Sequence, residues 1–267
     1  MVRAPLADRR SELTRTLFTA VRLLEDQALT GAMTVVVDDG RIASVDRSSE
    51  EMPEDAEEAV DGRGRILLPG LIDSHLHLSA EGDLAVLARH GVTTGLDMAS
   101  WPVSFTAGLR ALDGPVADFR SAGVPFIGPH GPHSHFGMPD HAVVTDPADV
   151  PAGVARRLAD GSDFLEVVTE PQGAGGPGWD VVRAVVKVAH DRGARVVAHA
   201  AVFESFARCL EEGVDFITSP WTGRSPRRWP GRWSIRARSR SRRSPSPRPS
   251  TGRCPGRGPA MRRPGSR

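Results

Sequence analysis

Residues 66–78 read ILLPGLIDSHLHL. Side chains alternate across an extended strand, so Asp73, His75 and His77 project to one face while Ile72, Ser74 and Leu76 project to the other. Two imidazoles two residues apart on one strand can reach a single metal ion, and Asp73 can orient one of them from behind. A surface strand that happens to carry two histidines is the plain alternative. What separates the two readings is the company the strand keeps.

Downstream of Gly70 the rhythm is strand, loop, helix, strand. The segments LIDSHLHL, VTTGLDM, VPFIGPH, DFLEVVT, RVVAHA and VDFIT read as strands. Amphipathic stretches such as DPADVPAGVARRLADG and WDVVRAVVKVAHDRG separate them, and helices stop at Gly91, Gly193 and Gly213. Repeated βα units with Val-rich strands specify a parallel sheet covered by helices. The fold class is therefore α/β, an incomplete (β/α)8 barrel with about six units where closure needs eight. The histidine pair then ends the first barrel strand, on the face where barrel active sites lie.

Upstream, residues 15–68 read as a small β domain. TLFTAVRLL, MTVVVDDGRIASVD and GRILLPG are short and β-like, Asp38-Asp39-Gly40 is a hairpin turn, and the acidic RSSEEMPEDAEEAVDG is a surface loop. Residues 1–14 form an N-terminal segment without the apolar run of a signal peptide, and no stretch is apolar enough to span a membrane. Only Cys209 and Cys254 occur, so no disulfide framework is implied. The expectation is a cytoplasmic protein that acts on a small molecule and makes no membrane contact.

The ILLPGLIDSHLHL motif, preceded by VVVDDGRIASVD and followed by GVTTGLDM, resembles the amidohydrolase superfamily, in particular its imidazolonepropionase-like and prolidase-like branch. The likeness runs over about residues 15–218. It implies a metal-dependent hydrolase of C–N bonds in amides, cyclic amides or imides, with heterocycle deamination as the alternative within the same superfamily. By the same resemblance His75, His77 and His199 would hold a divalent ion, zinc being expected, with one or two ions present. Glu166 stands where this branch usually carries a lysine, and would bridge as a carboxylate or serve as a structural partner of an arginine. The loop GPHGPHSHFGMPDH follows the third strand, where His130 or His135 could contact substrate. His90 and His190, beside helix-ending glycines, read as structural. EPQGAGGPGWD reads as a mobile loop without phosphate-loop spacing.

Near Thr218 the composition changes. Residues 219–267 hold 15 of the 34 basic residues and none of the 33 acidic ones, and Arg, Ser, Pro and Gly fill 39 of the 49 positions. The first 218 residues therefore carry 19 basic residues against 33 acidic ones. Such a tail cannot bury a core and is expected to be disordered. In the family a further metal histidine ends the sixth strand and a proton-accepting aspartate ends the eighth; neither is found here.

The genetic code offers a reason. Residues 217–224 can be encoded ATC ACG TCC CCC TGG ACG GGC CGC, which from its third base reads His-Val-Pro-Leu-Asp-Gly-Pro. The aspartate follows from the Trp221 and Thr222 codons whatever the other choices. The tail is thus expected to be an out-of-frame product, and the chain inactive through truncation. The rival expectation is a non-catalytic fragment whose basic tail binds polyanions, nucleic acid only non-specifically.

Overall fold

The computed structural model describes residues 15–47 and 58–218, all within one compact unit, Met1–Ser225. The expectations for residues 1–14 and for the tail lie outside the described residues.

The small β domain begins with β1 (Thr16–Val21), followed by a two-residue hairpin of β2 (Leu24–Glu25) and β3 (Ala28–Leu29), then β4 (Met33–Asp38), β5 (Arg41–Arg47) and β6 (Glu58–Asp61). Its sheet runs β5-β4-β1-β6, antiparallel except for the parallel β1–β6 pair. The β4–β5 turn takes positive φ at both Asp39 (51°) and Gly40 (67°), the handedness that matches the twist of paired strands. Leu17, Val21, Val35 and Val36 are buried. One expectation is corrected. GRILLPG forms no strand beyond a single bridge from Ile66 to Arg22, and the strand is EAVD at the end of the acidic segment, whose backbone pairs with β1.

Residues 71–218 alternate strand and helix: β7 (Leu71–Leu76), α1 (Asp83–Arg89), β8 (Val92–Asp97), α2 (Val103–Arg110), β9 (Asp118–Ser121), α3 (Val150–Ala159), β10 (Leu165–Val168), α4 (Trp179–Asp191), β11 (Val196–His199), α5 (Phe203–Glu212) and β12 (Phe216–Thr218). The strands pair in parallel and in chain order as two sheets, β7-β8-β9 and β10-β11-β12. One bent segment joins them. Asp118–Ser121 pairs with β8, the chain turns at Gly123 (φ 64°), and Phe126 then bridges to Val167 of β10. The third strand therefore starts six residues before the expected VPFIGPH. The outer strands are bare, with Leu71 58%, Ile72 65% and Phe216 51% exposed.

Helix α4 shows why the pattern folds as it does. Val181, Val182, Val185, Val186 and Ala189 recur at helical spacing and are all buried, against Leu165, Val167 and Val196 of the strands. Gly91, Gly193 and Gly213 end α1, α4 and α5 with φ of 74–81°, as their positions predict. Arg157 of α3 is 1% exposed. Its guanidinium donates to the carbonyls of Val124 (2.6 Å), Pro125 (2.8 Å), Gly153 (3.1 Å) and His141 (3.2 Å), and lies 3.6 Å over the Phe126 ring.

Between β9 and α3 the chain makes three 3-10 turns, Pro132–His135, Asp140–Ala142 and Pro147–Asp149, instead of a longer helix. The glycine-rich segment after β10 packs against it backbone to backbone. Gly128 N–H donates to Gly175 O at 2.7 Å, and Gly175 and Gly176 are buried. A Cβ on Gly176 would sit 1.6 Å from the Glu170 carbonyl, so only glycine allows this approach.

Candidate active site

The parallel strands deliver their carboxyl ends to one side, and a cavity of about 640 Å³ opens there. His75 of β7 and His77 just beyond it line the cavity, with ring centroids 5.5 Å apart and edge to face. Glu166 of β10 and His199, the last residue of β11, line it too, as does His133 from the first 3-10 turn. The His133 and His199 rings meet edge to face at 5.0 Å. His199 Nε2 lies 3.1 Å from Glu170 Oε1, the imidazole donating to the carboxylate.

Beneath the cavity Asp97, the last residue of β8, is fully buried. It accepts hydrogen bonds from Leu78 N–H (3.2 Å), Ser100 Oγ (3.0 Å) and Ser121 Oγ. These donors hold the carboxylate in place, yet burial still pushes its pKa up. Glu166 is pushed up to about 8, by burial first and by the nearby Asp97 second. Burial, then His77 and His199, hold the His75 imidazolium below its ordinary range; burial, then His199, does the same to His133. Imidazoles that resist protonation keep their ring nitrogens open to a cation, and a cation beside Glu166 would offset the burial that holds its carboxyl un-ionised. Among the described residues, no three His, Cys, Asp or Glu side chains converge tightly enough to hold an ion. The donor chemistry fits a divalent metal all the same.

Of the residues singled out in the sequence, His75, His77, Glu166 and His199 come together. Asp73 differs in its role: its Oδ1 accepts the backbone N–H of His75 at 3.1 Å, so it braces the strand, not an imidazole ring. His130, at φ 65°, and His135 are exposed and do not line the cavity; the 3-10 turn brings in His133 instead. The glycine-rich segment expected to be a free loop is packed, as described above. His90 caps α1 through Val86 O (2.9 Å), and His190 reaches Asp215 (2.8 Å), both away from the cavity. Sequence reasoning missed Asp97, His133 and Glu170. For Asp97 a signal exists, a lone acid closing an otherwise uncharged strand; for Glu170 there is none.

No protein-family model matches the chain. A curated relative, adenine deaminase 2 of Shouchella clausii, is 38% identical over 68 residues, 24% of this chain and 12% of that protein. Among solved structures, a Xaa-Pro dipeptidase with bound methionine superposes with a TM-score of 0.63 at 22% identity, over 76% of this chain and 61% of the dipeptidase. A putative prolidase from Bifidobacterium longum gives 0.63 at 25% identity, over 77% of this chain and 54% of the prolidase. The matches thus span 12% of the deaminase and 54–61% of the two solved structures. No helix among the described residues is long and apolar enough to cross a membrane.

Proposed function

We propose, for a chain that its fold and first barrel strand identify as an amidohydrolase-superfamily protein, descent from a metal-dependent hydrolase of C–N bonds in amides, cyclic amides or imides, built on an incomplete (β/α)8 barrel. The observation that carries this is the gathering of His75, His77, His199 and Glu166 around one cavity at the carboxyl ends of parallel strands. His75, His77 and His199 would hold a divalent ion, zinc by the preference of imidazole donors, with Glu166 as a carboxylate ligand or bridge. When bound, such an ion supplies the Lewis acidity that polarises a carbonyl and activates water.

The chain's own groups supply the rest. Asp97, clamped by three donors, fixes β8 behind the imidazoles. Glu170 orients the His199 ring through Nε2. His133 has an enclosed Nδ1 without a hydrogen-bond partner among the described residues, and burial keeps the ring neutral, so it can hold or accept a proton at the cavity wall. The same donors could serve deamination of a heterocycle, a reading favoured by the 68-residue match to a deaminase.

The test is elemental analysis of the purified chain and of the His75→Ala/His77→Ala double variant. The variant is expected to lose the stoichiometric metal; unchanged metal content would refute the assignment.

A further inference from the structure

The histidines and Glu166 account for only part of the cavity lining. Leu78, Trp101, Pro102, Phe105, Phe136 and Met138 supply most of the rest. The polar groups interleaved with them are already engaged. Trp101 Nε1 donates to Gly137 O at 3.1 Å, Ser100 Oγ to Asp97 at 3.0 Å, and Ser79 Oγ to Asp83 at 3.1 Å. A ligand meeting Trp101 therefore meets the apolar body of an indole whose one donor is occupied. The same hydrogen bond ties the segment leading into α2, with Trp101, Pro102 and Phe105, to the segment after β9, with Phe136 and Met138. Two stretches distant in sequence thus make one apolar wall. No lysine or arginine among the described residues lines the cavity.

We propose that this wall selects neutral amides bearing an aromatic or branched aliphatic substituent and discriminates against substrates that carry a carboxylate. The inference rests on the amide-hydrolase reading above and adds the substrate class. The scissile group would lie among the histidines, with its substituent against Trp101, Phe105 and Phe136. A carboxylate against that wall would lose its water without gaining a lysine, an arginine or a free donor. An aryl group would bury its faces and edges against three aromatic rings. The volume, about 640 Å³, suits a molecule of this size.

The test is equilibrium binding by calorimetry to the full chain, with three probes: acetanilide, N-methylacetamide and 4-acetamidobenzoate. Acetanilide is expected to bind at least about tenfold more tightly than either of the others, since a single methylene in an apolar pocket already discriminates by about 10-fold or more. Phe136→Ala should weaken acetanilide severalfold and leave N-methylacetamide unchanged. Phe136 is 59% exposed, so its truncation spares the core; Phe105→Leu is the second variant and keeps an apolar side chain. Equal or tighter binding of 4-acetamidobenzoate would overturn the proposal, as would undetectable acetanilide binding or indifference to both substitutions. Binding requires no turnover, so the metal experiment can fail while this preference stands, and the reverse.

Discussion

Arg157→Met tests the packing that sets the third strand. The guanidinium is buried, and burial pushes it down to about 10, which corresponds to a penalty on the charged form of roughly 3 kcal/mol. Against this stand four hydrogen bonds to carbonyls. Bonds to a charged donor contribute about 1.5 kcal/mol or more each, so about 6 kcal/mol is lost with the side chain while about 3 kcal/mol of desolvation is relieved. Methionine keeps the contact with Phe126 but leaves the Val124 and Pro125 carbonyls without their donors, for a net loss of about 3 kcal/mol. Lysine should do no better: its ammonium is more strongly hydrated and lacks the planar fork that reaches several carbonyls while stacking on a ring. Urea unfolding followed by far-UV circular dichroism measures both variants. A loss below about 1 kcal/mol in Arg157→Met, or a lysine variant as stable as the parent, would refute the reasoning.

Two further outcomes are expected. Gly176→Ala puts a methyl group 1.6 Å from the Glu170 carbonyl, so the backbone must move, and the thermal midpoint should fall by an amount matching about 3 kcal/mol; an unchanged midpoint would contradict the close approach. Restoring one base ahead of the Thr218 codon should return a histidine to the end of β12 and, where the downstream gene is intact, the remaining barrel strands. The repaired chain should hydrolyse neutral amides in a chelator-sensitive way and the parent by about 10² or more slower, because acid-base assistance is worth at least that much. Comparable robust activity in both chains would dismiss the frame-change reading.

The strands and helices that bury apolar residues were readable. DFLEVVT, RVVAHA and WDVVRAVVKVAHDRG contain β10, β11 and α4, and the helix-ending glycines adopt the left-handed conformation their positions imply. What escaped was structure held by partners far along the chain. DFRS carries no apolar run, and becomes β9 only because β8 offers it a parallel edge. EAVD looks like the tail of an acidic loop and becomes β6 against β1. At the site, the shared face of His75 and His77 was legible because a strand's period fixes where its side chains point, whereas Glu166 and His199 were singled out only through the family resemblance. His133 was not separable from three neighbouring histidines, since a 3-10 turn and the glycine contacts behind it decide which ring enters the cavity.

The bent third strand has a consequence for how the molecule yields to stress. Its second half belongs with β10–β12, where Phe126 joins the largest apolar cluster, whereas the β7–β9 side rests on a smaller one around Leu84, Leu109 and Phe119. Amide protons of β10 and β11 should therefore exchange last, and those of β7 early, as in a protein that opens by sub-global steps. His75 and His77 sit on the softer half, Glu166 and His199 on the firmer. Whatever bridges the two sets acts as a rivet across the seam: its binding free energy is added to the docking of one half on the other, so occupancy of the cavity and protection of β7 rise and fall together.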